Sequence, residues 1–170
     1  MYKEFEMITL RQDIFTEDAL KIADWLEDNE IIAYLNEEDQ ISDQIRHMVN
    51  TSNLPIYNQI FNQRGLFYLI CLHGESIGYV KFVPKRKGHE IVITIGDKEL
   101  WGQGYGKTAL KKALSEAFFS LRYEKIEAKI KPMNKRSLFM FEHIGFESGE
   151  SSGEIHHLSM DMNTFLKKAA

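Results

Sequence analysis

The segment from Trp101 to Thr108 carries the clearest chemical signal in the sequence, where it reads Trp-Gly-Gln-Gly-Tyr-Gly-Lys-Thr. Glycines allow a sharp turn and let a ligand approach the backbone without meeting a Cβ atom. Where such a turn opens a helix, free N–H groups and the positive end of the helix dipole attract an anion such as a pyrophosphate. Lys107 adds a positive charge at the same place. The segment therefore predicts an anion-binding turn, and the alternative is a glycine-rich turn that binds nothing.

Two nucleotide-binding motifs match this turn only in part. Residues 106–108 read Gly-Lys-Thr, as the end of a P-loop does, but Trp101 stands where that loop has its first glycine. The Rossmann pattern G-x-G-x-x-G/A is satisfied by Gly104, Gly106 and Ala109, and Glu124 follows at the expected interval. A Rossmann turn directly follows its strand, however, whereas residues 96–103 intervene here. Both motifs therefore remain weaker alternatives.

Hydrophobic periodicity supplies the elements that would hold this turn in place. It predicts strands over residues 5–11, 66–72, 77–83, 89–95, 125–130 and 158–162. It predicts helices over residues 16–26, 29–35, 42–50, 107–121 and 134–145, with Thr16 and Asn134 as N-caps. His73 and Gly74 form a hairpin signal, and residues 84–88 are predicted to be a basic loop. The strand, helix and strand across residues 89–130 imply a parallel crossover inside a mixed sheet.

Two separated segments resemble the GNAT superfamily of acetyl-CoA-dependent N-acetyltransferases. Gly104 and Gly106 match the glycines of its pyrophosphate motif R/Q-x-x-G-x-G/A. Residues 141–146 read Phe-Glu-His-Ile-Gly-Phe and resemble the ending Y-E-K-L-G-F, preceded by Asn-Lys-Arg-Ser at 134–137. Trp101 occupies the usual Arg or Gln position, as in the branch that resembles ribosomal-protein N-terminal and polyamine acetyltransferases. The similarity extends from about Leu66 to Phe146.

The resemblance implies one GNAT-type α/β (α+β) domain over residues 1–170. Its sheet would be mixed, mostly antiparallel and twisted, with about six to seven strands, a central parallel pair and about four flanking helices. Its reaction would be the direct transfer of acetyl from acetyl-CoA to the primary amine of a small molecule or of a peptide N-terminus. The residues implied to bind acetyl-CoA are Thr94, Ile95, Gly96, Trp101, Gly102, Gln103, Gly104, Tyr105, Gly106, Lys107, Thr108, Asn134 and Phe141.

Within this set, the resemblance gives separate roles to two backbone segments and one side chain. The backbone of residues 94–96 would pair with the pantetheine arm and polarise the thioester, with Gly96 as a bulge. Asn134 would lie near the same arm while also capping its helix. The phosphates would meet the turn at 104–106. The basic residues that could add to it are Lys107, Lys111, Lys112, Lys129, Lys131, Lys135 and Arg136.

Two residues are implied to transfer protons. Glu90 lies fourteen residues before Gly104, where many GNAT enzymes carry a glutamate that acts as the base, often through water; the alternative is a solvated acid at a strand end. Phe141 stands where a tyrosine usually protonates the leaving thiolate. Ser137 lies one helical turn earlier and is the implied replacement, with an ordinary first-turn serine as the alternative.

An acidic segment over residues 22–45 bears on the acceptor. It contains no Lys or Arg but holds Asp24, Glu27, Asp28, Glu30, Glu37, Glu38, Asp39 and Asp43. In GNAT folds, the helices after the first strand wall the acceptor site. Such acids would attract a cationic amine, for example a polyamine, an aminoglycoside or a peptide N-terminus. The alternative is a solvated helix face.

Composition restricts the class of protein further. The net charge of −4 disfavours a nucleic-acid partner, and the single cysteine, Cys71, fits a reducing compartment. The longest apolar run, Leu66 to Leu72, is too short to span a membrane, and the N-terminus lacks a signal sequence. His156 and His157 point to opposite faces of a strand, so no metal site is predicted. The phenylalanines predicted to be core are Phe118, Phe119, Phe139, Phe141 and Phe146. We expect a cytoplasmic protein without a membrane partner.

Three functions remain open at this point. An N-acetyltransferase is the first, with acetyl-CoA as cosubstrate and no metal. A non-catalytic CoA-binding or regulatory GNAT-like module is the second, and Phe141 favours it because phenylalanine has no proton to give. A P-loop or Rossmann nucleotide-binding protein is the third. The sequence does not fix the oligomeric state, for which a homodimer is one option.

Overall fold

A seven-stranded mixed sheet runs through the residues that the computed structural model describes, which are 7–35, 40–149 and 153–169. The strands are β1 Ile8–Arg11, β2 Leu66–Leu72, β3 Glu75–Lys85, β4 Gly88–Ile95, β5 Lys125–Ile130, β6 Glu147–Ser148 and β7 His156–Asp161. Their order across the sheet is β1-β2-β3-β4-β5-β7-β6. All neighbours are antiparallel except β4 and β5, which are parallel. The predicted mixed sheet with a central parallel pair is thus confirmed; the first predicted strand began at Phe5, outside the described residues.

Seven helices accompany the sheet in the same described ranges. They are α1 Thr16–Trp25, α2 Asn29–Ile32, α3 Ile41–Thr51, α4 Asn58–Phe61, α5 Tyr105–Ser115, α6 Lys135–Ile144 and α7 Met162–Ala169. A 3-10 turn, Lys98–Leu100, precedes α5, and a π-helical turn, Glu116–Ser120, follows it. The sequence predicts neither the single turn α4 nor the terminal helix α7, so the expected number of about four helices was too low.

Helix caps agree with the sequence in one case and differ in another. Asn134 caps α6, since its side chain accepts a hydrogen bond from the backbone N–H of Ser137 at 3.3 Å. Thr16 does not cap α1: the N-cap is Phe15, whose backbone N–H donates to the Asp18 carboxylate at 2.9 Å. Arg11, on β1, donates a hydrogen bond to the same carboxylate at 3.1 Å. This ion pair holds Asp18 where its carboxylate can accept the hydrogen bond from the N-cap residue.

The two hairpins around β3 set the register of the central strands. His73 and Gly74 both adopt positive φ, 51° and 84°, as a two-residue turn between β2 and β3 requires. The predicted loop at 84–88 is instead mostly strand, because β3 continues to Lys85 and β4 begins at Gly88. Lys85 therefore lies on the sheet, close to the start of β4.

Apolar side chains cover both faces of the sheet. One face packs against α5, α6 and α7 through residues such as Phe82, Leu114 and Phe118. The other packs against α1 and α3, whose buried residues include Ile22 and Ile45. In the described part of the chain, no helix is long and apolar enough to cross a bilayer.

The prediction of a phenylalanine core is only partly right. Phe118, Phe141 and Phe146 are buried as predicted. Phe119 and Phe139 are 47% and 70% exposed, so the prediction was wrong for them. Phe139 belongs to α6 but faces open space beside the sheet, which periodicity alone cannot distinguish from a core face.

Candidate active site

The parallel strands β4 and β5 separate soon after they begin. They pair only at His89 with Ile126 and at Glu90 with Glu127. On its other side, β4 stays paired with β3 as far as Ile95. A gap therefore opens between β4 and β5 and widens toward the carboxyl end of β4.

Backbone groups of β4 line this gap. The N–H groups of Gly96 and Asp97 both donate to the carbonyl oxygen of Ile77, at 2.8 and 3.3 Å, which is the two-to-one bonding of a bulge. Hydrogen-bonding direction alternates along an antiparallel strand, so the N–H groups of Ile93 and Ile95 face away from β3 and into the gap. Gly96 itself bonds to β3, which leaves Ile93 and Ile95 as the donors that a ligand would meet.

The helix α5 begins at the wide end of the gap. Its N-cap is Gly104, with φ 89°, and Gly102 has φ 77°, a region that favours glycine. A Cβ atom on Gly106 would meet only Met140 Sδ at 3.6 Å and Ile95 Cγ1 at 3.8 Å. Gly106 is therefore not required by the packing of the free protein, whereas Gly102 and Gly104 are required by the turn.

A cleft of about 480 Å³ lies in front of this helix N-terminus, between β4, α5 and α6; we call it the α5 cleft. The predicted cofactor residues that line it are Thr94, Ile95, Trp101, Gly102, Gly104, Tyr105, Gly106, Lys107 and Asn134. Three predicted residues are occupied elsewhere. Gln103 donates to the Glu99 carbonyl oxygen and Thr108 to that of Gly104. A Cβ atom on Gly96 would overlap the ring of Trp25, which accounts for this glycine without a ligand.

Trp101 is fixed from two sides at the rim of the α5 cleft. Its indole Nε1–H donates to the carbonyl oxygen of Ile95 at 2.7 Å, and the guanidinium of Arg136 lies 4.7 Å from its ring centre. Tyr105 behaves differently, because its side chain is buried beside Ile8 and Ile70. Tyr105 can therefore offer a ligand its backbone, while its ring anchors α5 to the sheet.

A second space, the Glu90 cavity of about 220 Å³, shares part of its wall with the α5 cleft. Asn134 and Ser137 line both spaces, and Phe141 lines only the second. The structure thus brings Glu90, Ser137 and Phe141 to one cavity, with Ser137 at its junction with the cleft. Phe141 is only 3% exposed and packs edge-on against Phe146 at 4.8 Å, so its ring serves the core as well.

Glu90 is buried and ion-paired. It is 8% exposed, so the alternative of a solvated strand-end acid is wrong. One of its oxygens, Oε2, lies 3.2 Å from Lys85 Nζ and 3.7 Å from Lys129 Nζ. Sequence reasoning missed both partners: Lys85 was placed in a loop, and Lys129 was assigned to the phosphates. The strand pattern offered a signal for Lys129, which faces away from the buried Ala128 and Ile130.

A third space, the α3 cavity of about 210 Å³, lies between α1, α3 and the sheet. It meets the Glu90 cavity at Arg64, Lys81 and Val83. Sequence reasoning missed this cavity, because its walls come from four separated segments. We call these two cavities together the acceptor side of the gap, because the resemblance described above would place the acceptor beside Glu90.

Four acids of the acidic segment are ion-paired with two cations from outside it. Arg46 pairs with Asp24 and Glu27, and its hydrogen bond lowers the pKa of Glu27. Lys98 contacts Asp28 at 2.8 Å, and that hydrogen bond lowers the pKa of Asp28. Lys98 also pairs with Glu30 at 3.2 Å. None of the segment's described acids lines the acceptor side, while Glu37, Glu38 and Asp39 lie outside the described residues.

Lys131 connects the end of β5 to the segment that follows α2, although the sequence predicted a phosphate contact for it. Its ammonium donates to the carbonyl oxygens of Ala33 and Leu35, at 3.1 and 2.9 Å. Tyr34 and Leu35 line both the α5 cleft and the Glu90 cavity. Lys131 thus holds in place a segment that lines both spaces, a role that sequence reasoning missed.

Two further residues at the rim of the α5 cleft also escaped prediction. Phe139 stacks on His143 with ring centres 5.5 Å apart, and both line the cleft. As for metals, no group of three or more His, Cys, Asp or Glu side chains in the described ranges could hold an ion. The absence of a metal stays a prediction.

The mixed sheet, the separation of its central parallel strands and the glycine-rich start of α5 agree with the fold that the resemblance to the GNAT superfamily implies. Residues 8–147 match the family model described as "Acetyltransferase (GNAT) domain". The chain therefore belongs to the GNAT acetyltransferase family, which makes it an N-acetyltransferase with acetyl-CoA as cosubstrate and an amine as acceptor. The P-loop and Rossmann alternatives are thereby wrong.

Known proteins similar to this chain agree with the family. The uncharacterized N-acetyltransferase p20 of Bacillus licheniformis is 29% identical over 151 residues, which cover 84% of this chain and 80% of that protein. Spermidine N-acetyltransferase from Vibrio cholerae, solved with CoA and spermine, has a TM-score of 0.77 at 19% identity and covers 95% and 99% of the two chains. AAC(6')-Ib, solved with paromomycin and acetyl-CoA, has a TM-score of 0.76 at 18% identity, with 96% and 98% covered. At these identities the two structures support the fold alone.

Proposed function

We propose that the protein transfers acetyl directly from acetyl-CoA to a primary amine across the gap between β4 and β5. The observation that carries this proposal is that Asn134 and Ser137 line both the α5 cleft and the Glu90 cavity. A thioester at that junction would have a helix N-terminus on one side and a carboxylate on the other. No covalent acetyl-enzyme is needed, because both substrates can occupy the gap together.

The cofactor would be held mainly by backbone. Its pyrophosphate would meet the first N–H groups of α5, after Gly104, with Lys107 beside them. Its pantetheine arm would run along the inward N–H groups of Ile93 and Ile95. A donor of this kind at the thioester oxygen would stabilise the negative charge that develops there during attack.

Proton transfer would use Glu90 and Ser137. The acceptor ammonium would lose a proton to Glu90, directly or through water, and its nitrogen would then attack the carbonyl carbon. The C–S bond breaks, and CoA leaves as a thiolate, which would take a proton from Ser137 or water. The proton that the attacking nitrogen loses as it becomes an amide would then replace the one given up by Ser137 or water. The half-buried position of Ser137 at the junction of the two spaces supports this role.

The acceptor class is proposed as a small-molecule amine or a peptide N-terminus. The similar solved proteins include a spermidine N-acetyltransferase in complex with spermine and AAC(6')-Ib in complex with paromomycin, so polyamines and aminoglycosides belong in the first screen. The spermidine N-acetyltransferase from Vibrio cholerae has a dodecameric structure. A homodimer or larger assembly of this chain and a cytoplasmic location remain proposals, which light scattering and cell fractionation would test.

CoA release measured by a thiol reagent would test the proposed function. Acetyl-CoA would be incubated with polyamines, aminoglycosides, amino acids and N-terminal peptides. Release that depends on one of these amines is the expected result. Tight acetyl-CoA binding without release for any amine would favour a non-catalytic CoA-binding module, to which the buried Phe141 points.

A further inference from the structure

Most of the charged side chains on the acceptor side of the gap are cations. Its two cavities share Arg64 and Lys81, and the Glu90 cavity adds Lys85, Glu90 and Lys129. Of the described side chains that line these cavities, four are thus positive and one is negative. Arg64 and Lys81 have interactions of their own, so the acceptor is inferred from the group around Glu90 alone.

The trio of Lys85, Glu90 and Lys129 carries a net positive charge. Both ammonium groups share one carboxylate oxygen, Oε2, at 3.2 and 3.7 Å. The neighbouring Glu127 is paired with Lys125 at 3.5 Å and does not offset the trio. The lysine side chains keep 38% and 36% exposure, whereas that of Glu90 keeps 11%. A small ligand in the cavity would therefore reach the ammonium groups more easily than the carboxylate.

The described acids near this side do not change that balance. Asp24 and Glu27 are committed to Arg46, and Asp28 and Glu30 to Lys98. None of these acids lines either cavity. Within the Glu90 cavity, a polycation would meet the two lysines and one carboxylate of the trio, and like charges in a confined cavity repel one another.

We propose that the preferred acceptor carries a carboxylate as well as its amine, as an amino acid does. This rests on the proposed function and names its substrate class. The carboxylate would pair with Lys85 and Lys129, which releases them in part from Glu90. The amine, one carbon away, would then face Glu90 and the thioester. The two cavities, of about 220 and 210 Å³, suit a small acceptor of this type.

Matched acceptor pairs would test this. Each amino acid is compared with the amine that its decarboxylation would leave: lysine with cadaverine, phenylalanine with phenethylamine, and ornithine with putrescine. We expect kcat/KM to favour the carboxylate-bearing member at least tenfold, or about 1.4 kcal/mol. If cadaverine, phenethylamine or putrescine is used as well as or better than its amino acid, the inference is overturned while the proposed function stands. If no amine releases CoA, the proposed function fails instead.

Charge variants would locate the recognition. Lys85→Gln and Lys129→Gln should each raise KM for the amino acid about tenfold and reduce the preference for the amino acid over its decarboxylated partner by about the same factor. Lys129→Arg, which keeps the charge, should retain most of the preference. The matched control is Lys167→Gln on α7, which is exposed and lines neither cavity; it should change neither KM. Equal effects of Lys129→Gln on both members of a pair would overturn the inference. Melting temperature and acetyl-CoA affinity of each variant would establish that it is folded.

Discussion

The α5 cleft and the acceptor side of the gap are built in different ways. In the α5 cleft, the groups offered to a ligand are mainly backbone N–H groups of β4 and α5, which two neighbouring stretches of chain supply. On the acceptor side, they are side chains that β3, β4, β5 and the segment before β2 bring from far apart. Recognition of acetyl-CoA should therefore respond to changes of shape, and recognition of the acceptor to changes of charge.

The largest effect should come from Glu90, where the acceptor side meets the chemistry. Glu90→Gln keeps the shape of the side chain but removes its basicity, so kcat/KM should fall about 10²-fold at neutral pH. Acetyl-CoA affinity should not change, because Glu90 does not line the α5 cleft. The measurement is kcat/KM against pH together with calorimetric binding of acetyl-CoA. If the variant kept full activity and its kcat/KM fell at low pH as that of wild type does, Glu90 would not be the base.

The next effect should come from shape at the start of α5. Gly106→Val should weaken acetyl-CoA binding at least tenfold, or about 1.4 kcal/mol, because the side chain would occupy the approach to the N–H groups. Gly104→Val is a poorer test, since φ at Gly104 is 89° and any side chain there strains the turn.

Gly106→Ala is the matched control for this prediction. Its Cβ atom would make only ordinary contacts, at 3.6 and 3.8 Å, and the family motif admits alanine at this position. The affinity of Gly106→Ala for acetyl-CoA should stay within about twofold of that of wild type. If a folded Gly106→Val protein bound acetyl-CoA as tightly as wild type, the pyrophosphate would not bind at the start of α5. The contrast between the α5 cleft and the acceptor side would then fail.

A smaller effect is expected at the junction of the two sides. Ser137→Ala should lower kcat about threefold, since water can also protonate the thiolate. Phe141→Tyr should restore part of that loss if the phenol reaches the sulfur, although Phe141 also packs on Phe146. The measurement is kcat for the single and double variants at saturating substrates. No change in Ser137→Ala would mean that the reaction proceeds by positioning and solvent proton exchange alone.

The same contrast explains what the sequence could predict. The glycine turn, the cap at Asn134 and the central strands depend on neighbours in the chain, and periodicity and turn chemistry identify them. α4 depends on contacts across the fold: Asn58 accepts from the N–H of Ile14 at 2.8 Å, and Tyr57 donates to the Ile14 carbonyl oxygen at 2.8 Å. Such an element has no local signature.

Ion pairs were the least predictable part of the site. The acidic segment looked unpaired because its cations, Arg46 and Lys98, lie outside it in sequence. Glu90 was assigned a catalytic role from its position, but its two lysines come from β3 and β5. Charge patterning within a window cannot reveal partners that only the tertiary fold supplies.

The smallest effect should come from Arg46, which tests whether the acidic segment belongs to the acceptor site. Arg46→Gln frees the carboxylates of Asp24 and Glu27 but leaves the lining of both cavities unchanged. Acceptor KM should therefore change by less than about twofold, because exposed ion pairs are screened.

The stability effect of Arg46→Gln should depend on pH. The hydrogen bond from Arg46 lowers the pKa of Glu27 in the folded protein. A lowered folded-state pKa gives stability that is present above the unfolded value, about pH 4.3 for glutamate, and that is lost as pH falls through the folded value. Wild type should therefore melt slightly above Arg46→Gln at pH 7, and the difference should shrink toward pH 3. A severalfold change in KM for a cationic acceptor, with no such pH-dependent difference in melting, would return the acidic segment to the acceptor site.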